Sequence, residues 1–337
     1  MDKDTAVRLA QESFDDLSIA TVNMRSKARL WAGMGNIYEV ECPSSVQKTL
    51  IIKYIHPRFA KNAKLSLGDQ RKWDSYHVEA NFYEHHAEHL IKMGVPLPPP
   101  YKVERHDTTI IICMGALPEA DYYSNQNEGV MKWLARFHAA TWNKSSEGAV
   151  QPVGSYWHLD TRPSEWEDIP RNGWEGRLKL AARAIDNRLK RDPLQCWVHG
   201  DTKDANILLA ENGADIAFCD FQYCGAGPPS KDLAYFLCTN MVSDAEERKE
   251  LVDLYFEELC QHLRENPSVT EKQMPTRQQL DDSLELAFCD FCRFMAGWGY
   301  WGYDLSKQVK KTLDKIDGGK KLRSESDYEK AMERVFG

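Results

Sequence analysis

The sequence predicts an α+β fold in two lobes, a smaller one built on β-strands and a larger one that is mainly helical. The 337 residues, of which 42% are hydrophobic, suffice for two lobes with separate cores. Short apolar runs typical of strands occur at 50–55, 101–105 and 108–114. Helical periodicity dominates the later part of the chain, where helices are predicted at about 244–265, 276–303 and 304–317. We therefore place the lobes at residues 1–117 and 118–337.

Composition narrows the classes of partner and location. The formal net charge of −8 argues against a nucleic-acid partner, whose phosphates would be repelled. No apolar run approaches the roughly 20 residues that a membrane-spanning helix needs. Met1 is followed by Asp-Lys-Asp rather than by a basic region and an apolar segment, which favours a cytoplasmic protein without a membrane partner. The sequence leaves the oligomeric state open.

The nine cysteines agree with a cytoplasmic location, because their odd number and irregular spacing favour free thiols. Cys289 and Cys292 form a Cys-x-x-Cys pair. Without a second pair or a nearby His, we interpret it as one face of a helix rather than as a zinc or redox site.

The first elements of the chain indicate a strand, a turn and a second strand. Residues 2–16 are predicted as an amphipathic helix and 18–31 as an extended segment. Gly33 and Gly35 follow, and two glycines at this spacing suit a turn whose backbone approaches phosphates. Taken alone, the pair would better fit an ordinary glycine turn.

Lys53 places a charged side chain inside the apolar run 50–55, which is predicted to be a strand. A charge at such a position needs a partner. The helical run 73–92 offers Glu79, with Glu84 and Glu88 as competitors on the same helix. We predict that Lys53 pairs with Glu79.

The middle of the chain changes from strands to helices. The Gly- and Pro-containing segment 94–100 ends the preceding helix and leads into the next two strands. Helices are predicted at 129–142 and 179–190. The segment 144–174 between them has little periodicity, and its three Trp residues favour an ordered loop.

Residues 196–222 carry the strongest chemical signal. Two short apolar runs are joined by an Asn-Gly turn at 211–213, which is typical of a β-hairpin. Asp201 and Asn206 precede the first run and Asp220 follows the second, so the three side chains are expected at one end of the hairpin. Phosphoryl transfer needs a carboxylate that accepts the proton of a hydroxyl, and an amide and a second carboxylate that hold Mg²⁺. This stretch supplies that set.

The same stretch resembles the catalytic motif of the aminoglycoside phosphotransferase and choline kinase superfamily. The motif consists of His199-Gly200-Asp201, Asn206 and Asp220-Phe221-Gln222. Protein kinases have Arg and Gly where this chain has Gly200 and Gln222, and both departures point to the small-molecule branch. The resemblance implies a protein-kinase-like fold with a five-stranded antiparallel sheet and a bracing helix in the small lobe, a hinge, and a mainly helical large lobe.

The resemblance also assigns roles in the large lobe. Asp201 would be the base, and Asn206 and Asp220 would be the Mg²⁺ ligands. Lys203 would contact the γ-phosphate of ATP. Asp232 resembles the Asp of the family's Asp-Leu-Ala sequence, which braces the catalytic loop, although a plain helix N-cap needs the same residue type.

In the small lobe the resemblance concerns nucleotide binding. Lys53, oriented by Glu79, would contact the α- and β-phosphates. Gly33 and Gly35 would form the phosphate-binding turn, and Met114 lies in the segment 113–118, whose backbone would bind adenine as a kinase hinge does. In addition, Phe82-Tyr83 three residues after Glu79 are similar to the ecdysteroid kinase-like branch.

An aromatic sequence near residue 300 is the candidate acceptor site. Its rings, together with those of the 144–174 segment, could line the cleft or pack as core, and the sequence leaves both readings open. If they line the cleft, aromatic faces favour a quaternary amine or a large apolar alcohol over an aminoglycoside. The residues concerned are Trp298, Tyr300 and Trp301, with Trp157, Trp166 and Trp174 in the loop.

These observations predict an ATP-dependent kinase that phosphorylates a hydroxyl group of a small molecule. Choline or ethanolamine kinase-like and aminoglycoside-type enzymes are alternatives within this class, and the preference for ATP over GTP stays open. A protein kinase is disfavoured by Gly200, by Gln222 and by the short segment after Asp220. A nucleotide-binding pseudokinase that acts as a scaffold is the alternative from another class.

Overall fold

The computed structural model of the protein describes residues 1–43, 48–57, 65–120 and 126–337. Within these ranges, no helix combines the length and the apolarity needed to cross a membrane. The chain divides into two compact units. The first unit comprises residues 1–120 and 208–222, and the second comprises residues 121–207 and 223–337.

A five-stranded antiparallel sheet is the centre of the first unit. Its strands are β1 (Asn23–Arg29), β2 (Gly35–Cys42), β3 (Lys48–Ile55), β4 (Pro100–His106) and β5 (Thr109–Gly115). They lie in the order β1-β2-β3-β5-β4, so the two most apolar runs occupy inner positions, where both faces of a strand are covered. The predicted α+β class and five-stranded sheet are confirmed.

Helices cover this sheet. Helix α1 (Lys3–Phe14) has Asp2 as its N-cap, and the Asp2 side chain accepts a hydrogen bond from Thr5 N. Its buried face shares one core with strand residues of the sheet, among them Val40, Leu50 and Ile52. Helices α2 (Leu67–His85) and α3 (Ala87–Lys92) follow β3, and α2 contacts β4 and β5.

After β5 the part of the chain that the structure describes is mostly helical, with four short strands. The elements are α4 (Asn127–Ala140), α5 (Pro163–Asp168), α6 (Gly173–Lys190), β6 (Cys196–Val198), β7 (Ile207–Leu209), β8 (Ile216–Phe218), β9 (Gly225–Gly227), α7 (Ser230–Thr239), α8 (Ala245–Glu265), α9 (Arg277–Trp298), α10 (Ser306–Asp317) and α11 (Glu325–Phe336).

Helix α9 is the central element of the second unit, because α5, α6, α7 and α10 all pack against it. Its residues 286–295 are all buried, including Asp290 and Arg293, which form an ion pair with an N–O distance of 2.7 Å. Helix α4 packs on α8, and α11 packs on α6. Strands β6 and β9 pair antiparallel beside α4. The mainly helical character predicted for this part of the chain is confirmed.

The predicted hairpin is present as the pair of strands β7 and β8. Ala210 N donates to Asp215 O at 2.8 Å to close the turn. The side-chain oxygen of Asn212 accepts from the backbone amides of residues 214 and 215, and Gly213 adopts a φ of 68°. The Asn-Gly sequence therefore forms the predicted turn, because Asn212 bonds to the backbone of the turn and Gly213 tolerates a positive φ.

Two predicted helices differ from the structure. The helix expected at 276–303 ends at Trp298, because Gly299 adopts a φ of 125° that a helix does not allow. The helix expected at 73–92 is divided into α2 and α3 at His86. The nine cysteines are free, and all except Cys219 are buried. Cys289 and Cys292 lie inside α9, as predicted.

Candidate active site

The predicted pair of Lys53 and Glu79 is present in the first unit, and Lys53 also contacts a third residue, Asp220. Lys53 Nζ donates to Glu79 Oε2 at 2.6 Å and to Asp220 Oδ1 at 2.9 Å. Burial alone would lower the pKa of the Lys53 ammonium, but the carboxylates of Asp220 and Glu79 outweigh burial and hold this pKa above its ordinary value. The competitors pair elsewhere, Glu84 with Arg105 and Glu88 with Lys92.

Asp220 is held in an uncommon backbone conformation. Its φ of 69° lies in the left-handed region, which Asp tolerates better than most residues. Gln222 Nε2 donates to Asp220 Oδ1, and Gln222 Oε1 accepts from Ser75 Oγ of α2 at 3.1 Å. Gln222, which stands where protein kinases have Gly, therefore links Asp220 to the helix that carries Glu79.

The ring of Phe221 reinforces this link. It stacks on Phe82 with a centroid distance of 3.9 Å and an interplanar angle of 8°, and it meets Tyr83 edge-on at 6.0 Å. The Phe82-Tyr83 pair is therefore the surface of α2 on which the segment of Asp220 rests.

The predicted phosphate turn joins β1 to β2. Gly33 ends a single helical turn at Trp31–Gly33, and Leu30 N donates to Gly35 O at 2.9 Å. Gly35 has a φ of 146°, and a Cβ atom there would lie 2.1 Å from Tyr54 O of β3. No other residue type fits this position without a backbone shift.

Met114 lies near the end of β5, and its side chain is buried. The backbone amides of the next two residues form hydrogen bonds within the first unit. Gly115 N donates to Pro99 O at 2.8 Å, and Ala116 N donates to Thr49 O at 3.1 Å. A contact between Met114 and a nucleotide stays a prediction.

Asp201, in the second unit, is surrounded by donors. Tyr235 Oη donates to Asp201 Oδ1 at 3.0 Å, while Lys203 Nζ at 2.7 Å and Asn206 Nδ2 at 3.1 Å donate to Oδ2. Asn206 Nδ2 also donates to Asp201 O at 2.8 Å. The carboxylate is therefore buried and fixed in one orientation by three side chains.

The loop that carries Asp201 is braced by Asp232 of α7. His199 N donates to Asp232 Oδ2 at 2.6 Å, and Gly200 N donates to Asp232 Oδ1 at 2.8 Å. His138 Nε2 lies 3.1 Å from Asp232 Oδ2. The predicted bracing role is confirmed, and Asp232 is not an N-cap, since α7 begins two residues earlier at Ser230.

Gly200 explains why the loop differs from the protein-kinase pattern. Its φ is 81°, and a Cβ atom there would lie 2.4 Å from Tyr223 O and 2.8 Å from Ser155 N. An Arg side chain at this position would need the backbone on both sides to move. The replacement of Arg by Gly therefore follows from the local packing of the loop.

Two side chains, one in each unit, offer oxygen atoms of the kind that a hard cation prefers. The first unit has the carboxylate of Asp220, and the second unit has the amide of Asn206, whose Nδ2 donates to Asp201 O and to Asp201 Oδ2. Among the described residues, no group of three or more His, Cys, Asp or Glu side chains could hold a metal ion alone.

The rings of the second unit divide into a core and a surface. Trp157 stacks on Tyr235 at 4.8 Å and is 1% exposed, so it is core. Trp298 and Tyr300 are 57% and 54% exposed. Trp301 is half-buried against Phe291 and Phe294. Contact of these outer rings with an acceptor stays a prediction.

Sequence reasoning missed Tyr235, which contacts the predicted base directly. Tyr235 lies three residues after Asp232, so both side chains project from the same face of α7 toward the loop that carries Asp201. The spacing was available in the sequence as a signal. Tyr156, whose hydroxyl lies 3.3 Å from that of Tyr235, has no such signal, because 79 residues separate the two.

Comparison with known proteins gives a family and a fold. The model of the phosphotransferase enzyme family matches residues 67–268. The solved structure of amicoumacin kinase hAmiN, in complex with AMP-PNP, Ca²⁺ and Ami, is 12% identical, covers 93% of this chain and 88% of its own, and has a TM-score of 0.51. At this identity the likeness concerns the fold.

Two further solved structures match with lower TM-scores. An aminoglycoside-3'-phosphotransferase of type VIII is 16% identical over 87% of this chain and 98% of its own, with a TM-score of 0.47. Choline kinase LicA from Streptococcus pneumoniae is 14% identical over 92% of this chain and 97% of its own, with a TM-score of 0.44. No curated protein sequence matches the chain significantly.

Proposed function

The chain belongs to the phosphotransferase enzyme family, whose model matches more than half of its length, and on this premise we propose that it transfers the γ-phosphoryl group of ATP to a hydroxyl group of a small molecule. The observation that carries the proposal is the carboxylate of Asp201, held by Tyr235, Lys203 and Asn206. A carboxylate oxygen has several lone-pair positions, so Asp201 can still accept a hydrogen bond from an acceptor hydroxyl.

Asp201 acts as the base in this proposal. The oxygen of the acceptor hydroxyl forms a bond to the γ-phosphorus, while the bond from that phosphorus to the bridging oxygen of ADP breaks. The hydroxyl proton passes to Asp201 and ADP leaves. Fixed orientation of a base within hydrogen-bond reach of the attacking group is a main source of rate enhancement in such reactions.

Lys53, Glu79 and Asp220 support nucleotide binding. A buried ammonium group positioned by two carboxylates is a preorganised contact for the α- and β-phosphates. A magnesium ion, when bound with the nucleotide, neutralises phosphate charge. We assign Asn206 and Asp220 as the ligands of this ion, because both supply the oxygen atoms that it prefers.

The remaining assignments concern the nucleotide. Gly33 and Gly35 would bring the backbone of the β1–β2 turn close to its phosphates. The segment after Met114 would bind adenine through its backbone. Lys203, which donates to Asp201 in the structure, would contact the transferred phosphate.

The proposal is tested by incubating the purified chain with ATP, Mg²⁺ and a fractionated metabolite extract. Mass spectrometry should detect an ATP-dependent gain of one phosphate group by an alcohol, with equimolar ADP. A protein-kinase activity would instead place phosphate on added polypeptides. A pseudokinase would bind ATP and produce no ADP above the background of a heat-inactivated sample.

A further inference from the structure

The guanidinium group of Arg162, in the second unit, lies over three aromatic rings. The Cζ atom of Arg162 lies 5.4 Å from the ring centroid of Tyr156, 5.5 Å from that of Phe294 and 5.9 Å from that of Trp298. Its Nε donates to Tyr156 O at 2.7 Å. Three ring faces and one hydrogen bond therefore fix the guanidinium in place.

This guanidinium is connected to the proposed base by a short chain of contacts. The hydroxyl of Tyr156 lies 3.3 Å from that of Tyr235, which donates to Asp201 Oδ1 at 3.0 Å. Arg162 lies over the ring of the same Tyr156. Two tyrosine side chains therefore connect Arg162 to the base.

The outer end of the guanidinium retains donor capacity. Arg162 Nη1 lies 3.5 Å from Glu165 Oε1, at the long end of the hydrogen-bonding range, and the other Glu165 oxygen accepts from Ser164 Oγ at 2.8 Å. Within residues 1–43, 48–57, 65–120 and 126–337, Arg162 Nη2 has no hydrogen-bond partner. The side chain is 23% exposed, so a molecule from solution can reach it.

We propose that the acceptor alcohol carries a carboxylate, which Arg162 binds through Nη1 and Nη2 while the rest of the molecule lies against Trp298. The inference rests on the proposed function, because it identifies the substrate class of the same site. A planar guanidinium matches a carboxylate in geometry and charge. A cationic acceptor would meet ring faces that Arg162 already occupies. This class of acceptor differs from the quaternary amine that was one of the two sequence-based expectations, the other being a large apolar alcohol.

Binding of three matched alcohols tests the inference without turnover. The probes are 3-(hydroxymethyl)benzoate, 3-(hydroxymethyl)benzamide and 3-(aminomethyl)benzyl alcohol, which share one ring and one hydroxymethyl group and differ in charge. Isothermal titration of the full chain should show that the acid binds at least about tenfold more tightly than the amide, because a charge-assisted bidentate pair replaces a neutral contact. The amine should bind most weakly.

Two variants and a control assign the preference to Arg162. Arg162→Gln should reduce the difference between acid and amide to less than about twofold, and Arg162→Lys, which keeps the charge without the fork, should retain part of it. Arg183→Gln, on α6 with a half-exposed side chain, should leave the preference unchanged. Thermal melts confirm that each variant is folded.

The inference is overturned if the amide or amine binds as tightly as the acid, if no probe binds, or if the acid preference survives in Arg162→Gln. The proposed function fails separately. Binding of the acid without ATP turnover on any alcohol would remove the kinase assignment and keep the carboxylate site. Phosphorylation of amines in preference to acids would keep the kinase assignment and remove the site.

Discussion

The hydroxyl of Tyr235 donates a hydrogen bond of 3.0 Å to Oδ1 of Asp201, and both side chains are buried. Burial raises the pKa of Tyr235 far above its ordinary value, and the charge of Asp201 adds to the effect. The hydroxyl therefore remains protonated and donates to the carboxylate throughout the physiological range. This contact connects the proposed base to the aromatic rings around Arg162.

Replacing Tyr235 by Phe should lower kcat about tenfold, because a hydrogen bond to a charged group contributes roughly 1.5 to 3 kcal/mol. The KM for ATP should stay the same, since the Tyr235 hydroxyl contacts Asp201 and Tyr156 and none of the residues proposed to bind the nucleotide. Steady-state kinetics with the acceptor found in the extract screen measures both constants. Tyr156→Phe is the matched control and should change kcat less than about threefold, because that hydroxyl contacts Tyr235 rather than Asp201. Equal effects of the two variants would contradict the positioning role of Tyr235.

Replacing Asp220 by Asn should remove most of the Mg²⁺ dependence of ATP binding. Asn tolerates the left-handed backbone conformation of this position, so the change removes the charge with little strain. A neutral amide is a weaker ligand than a carboxylate for a hard cation, and we expect at least about a tenfold loss of affinity in the presence of Mg²⁺. Calorimetric titration of ATP with and without Mg²⁺ measures this loss of affinity. Glu84→Gln, on the surface of α2, is the control and should bind ATP as the wild type does. Unchanged Mg²⁺ dependence would mean that another residue holds the ion.

His158 should make the fold more sensitive to acid. Burial, aided by the Lys231 ammonium, lowers the pKa of His158 to about 3 from 6.5. Between pH 6.5 and 3, His158 therefore binds a proton in the unfolded chain but not in the native protein. The contribution of His158 to the free energy of unfolding is complete above pH 6.5 and is lost as the pH falls toward 3. From pH 7.5 to 5.5 the wild type should lose about 1.4 kcal/mol of unfolding free energy through this residue.

Urea unfolding at several pH values measures this loss. His158→Gln should lack it, whereas His89→Gln, on the exposed side of α3, should show the same pH dependence as the wild type. If the free energy of unfolding depends on pH in the same way in the wild type and in His158→Gln, His158 is not the titrating group.

Trp157 and Trp298 should respond in opposite ways to truncation. Trp157→Ala should cost about 3 to 5 kcal/mol of unfolding free energy, because it leaves a cavity beside Tyr235 in a well-packed core. Trp298→Ala should cost less than about 1 kcal/mol, since more than half of the side chain is exposed. If Trp298 lines the acceptor site, the same change should raise the acceptor KM and spare that of ATP. A large loss of stability in Trp298→Ala would mean that it packs as core.

The parts predicted correctly from the sequence share one property, which is that their signals are local. Lys53 lies within an apolar strand that cannot hold an unpaired charge, and Glu79 lies on the next helix. The hairpin follows from an Asn-Gly turn between two short apolar runs. Asp232 belongs to a three-residue motif whose resemblance gave its bracing role.

The parts that the sequence did not predict depend on distant contacts. Gln222 bonds to Ser75, which lies 147 residues away, so its function as a link had no local sign. Trp157 and Trp298 look alike in sequence and differ in burial, because burial is decided by how α7 and α9 pack. The position of Arg162 over three rings is likewise set by tertiary packing alone.

The central claim is that Asp201 is the base of a phosphotransferase, and the activity of Asp201→Asn tests it most directly. The wild type and the variant are incubated with ATP, Mg²⁺ and the identified acceptor, and phosphorylated product is measured by mass spectrometry beside ATP affinity by titration. We expect the variant to bind ATP as the wild type does and to form product about 10² to 10⁴ times more slowly, because the hydroxyl has lost its proton acceptor. Product formation by Asp201→Asn at the wild-type rate would contradict the claim.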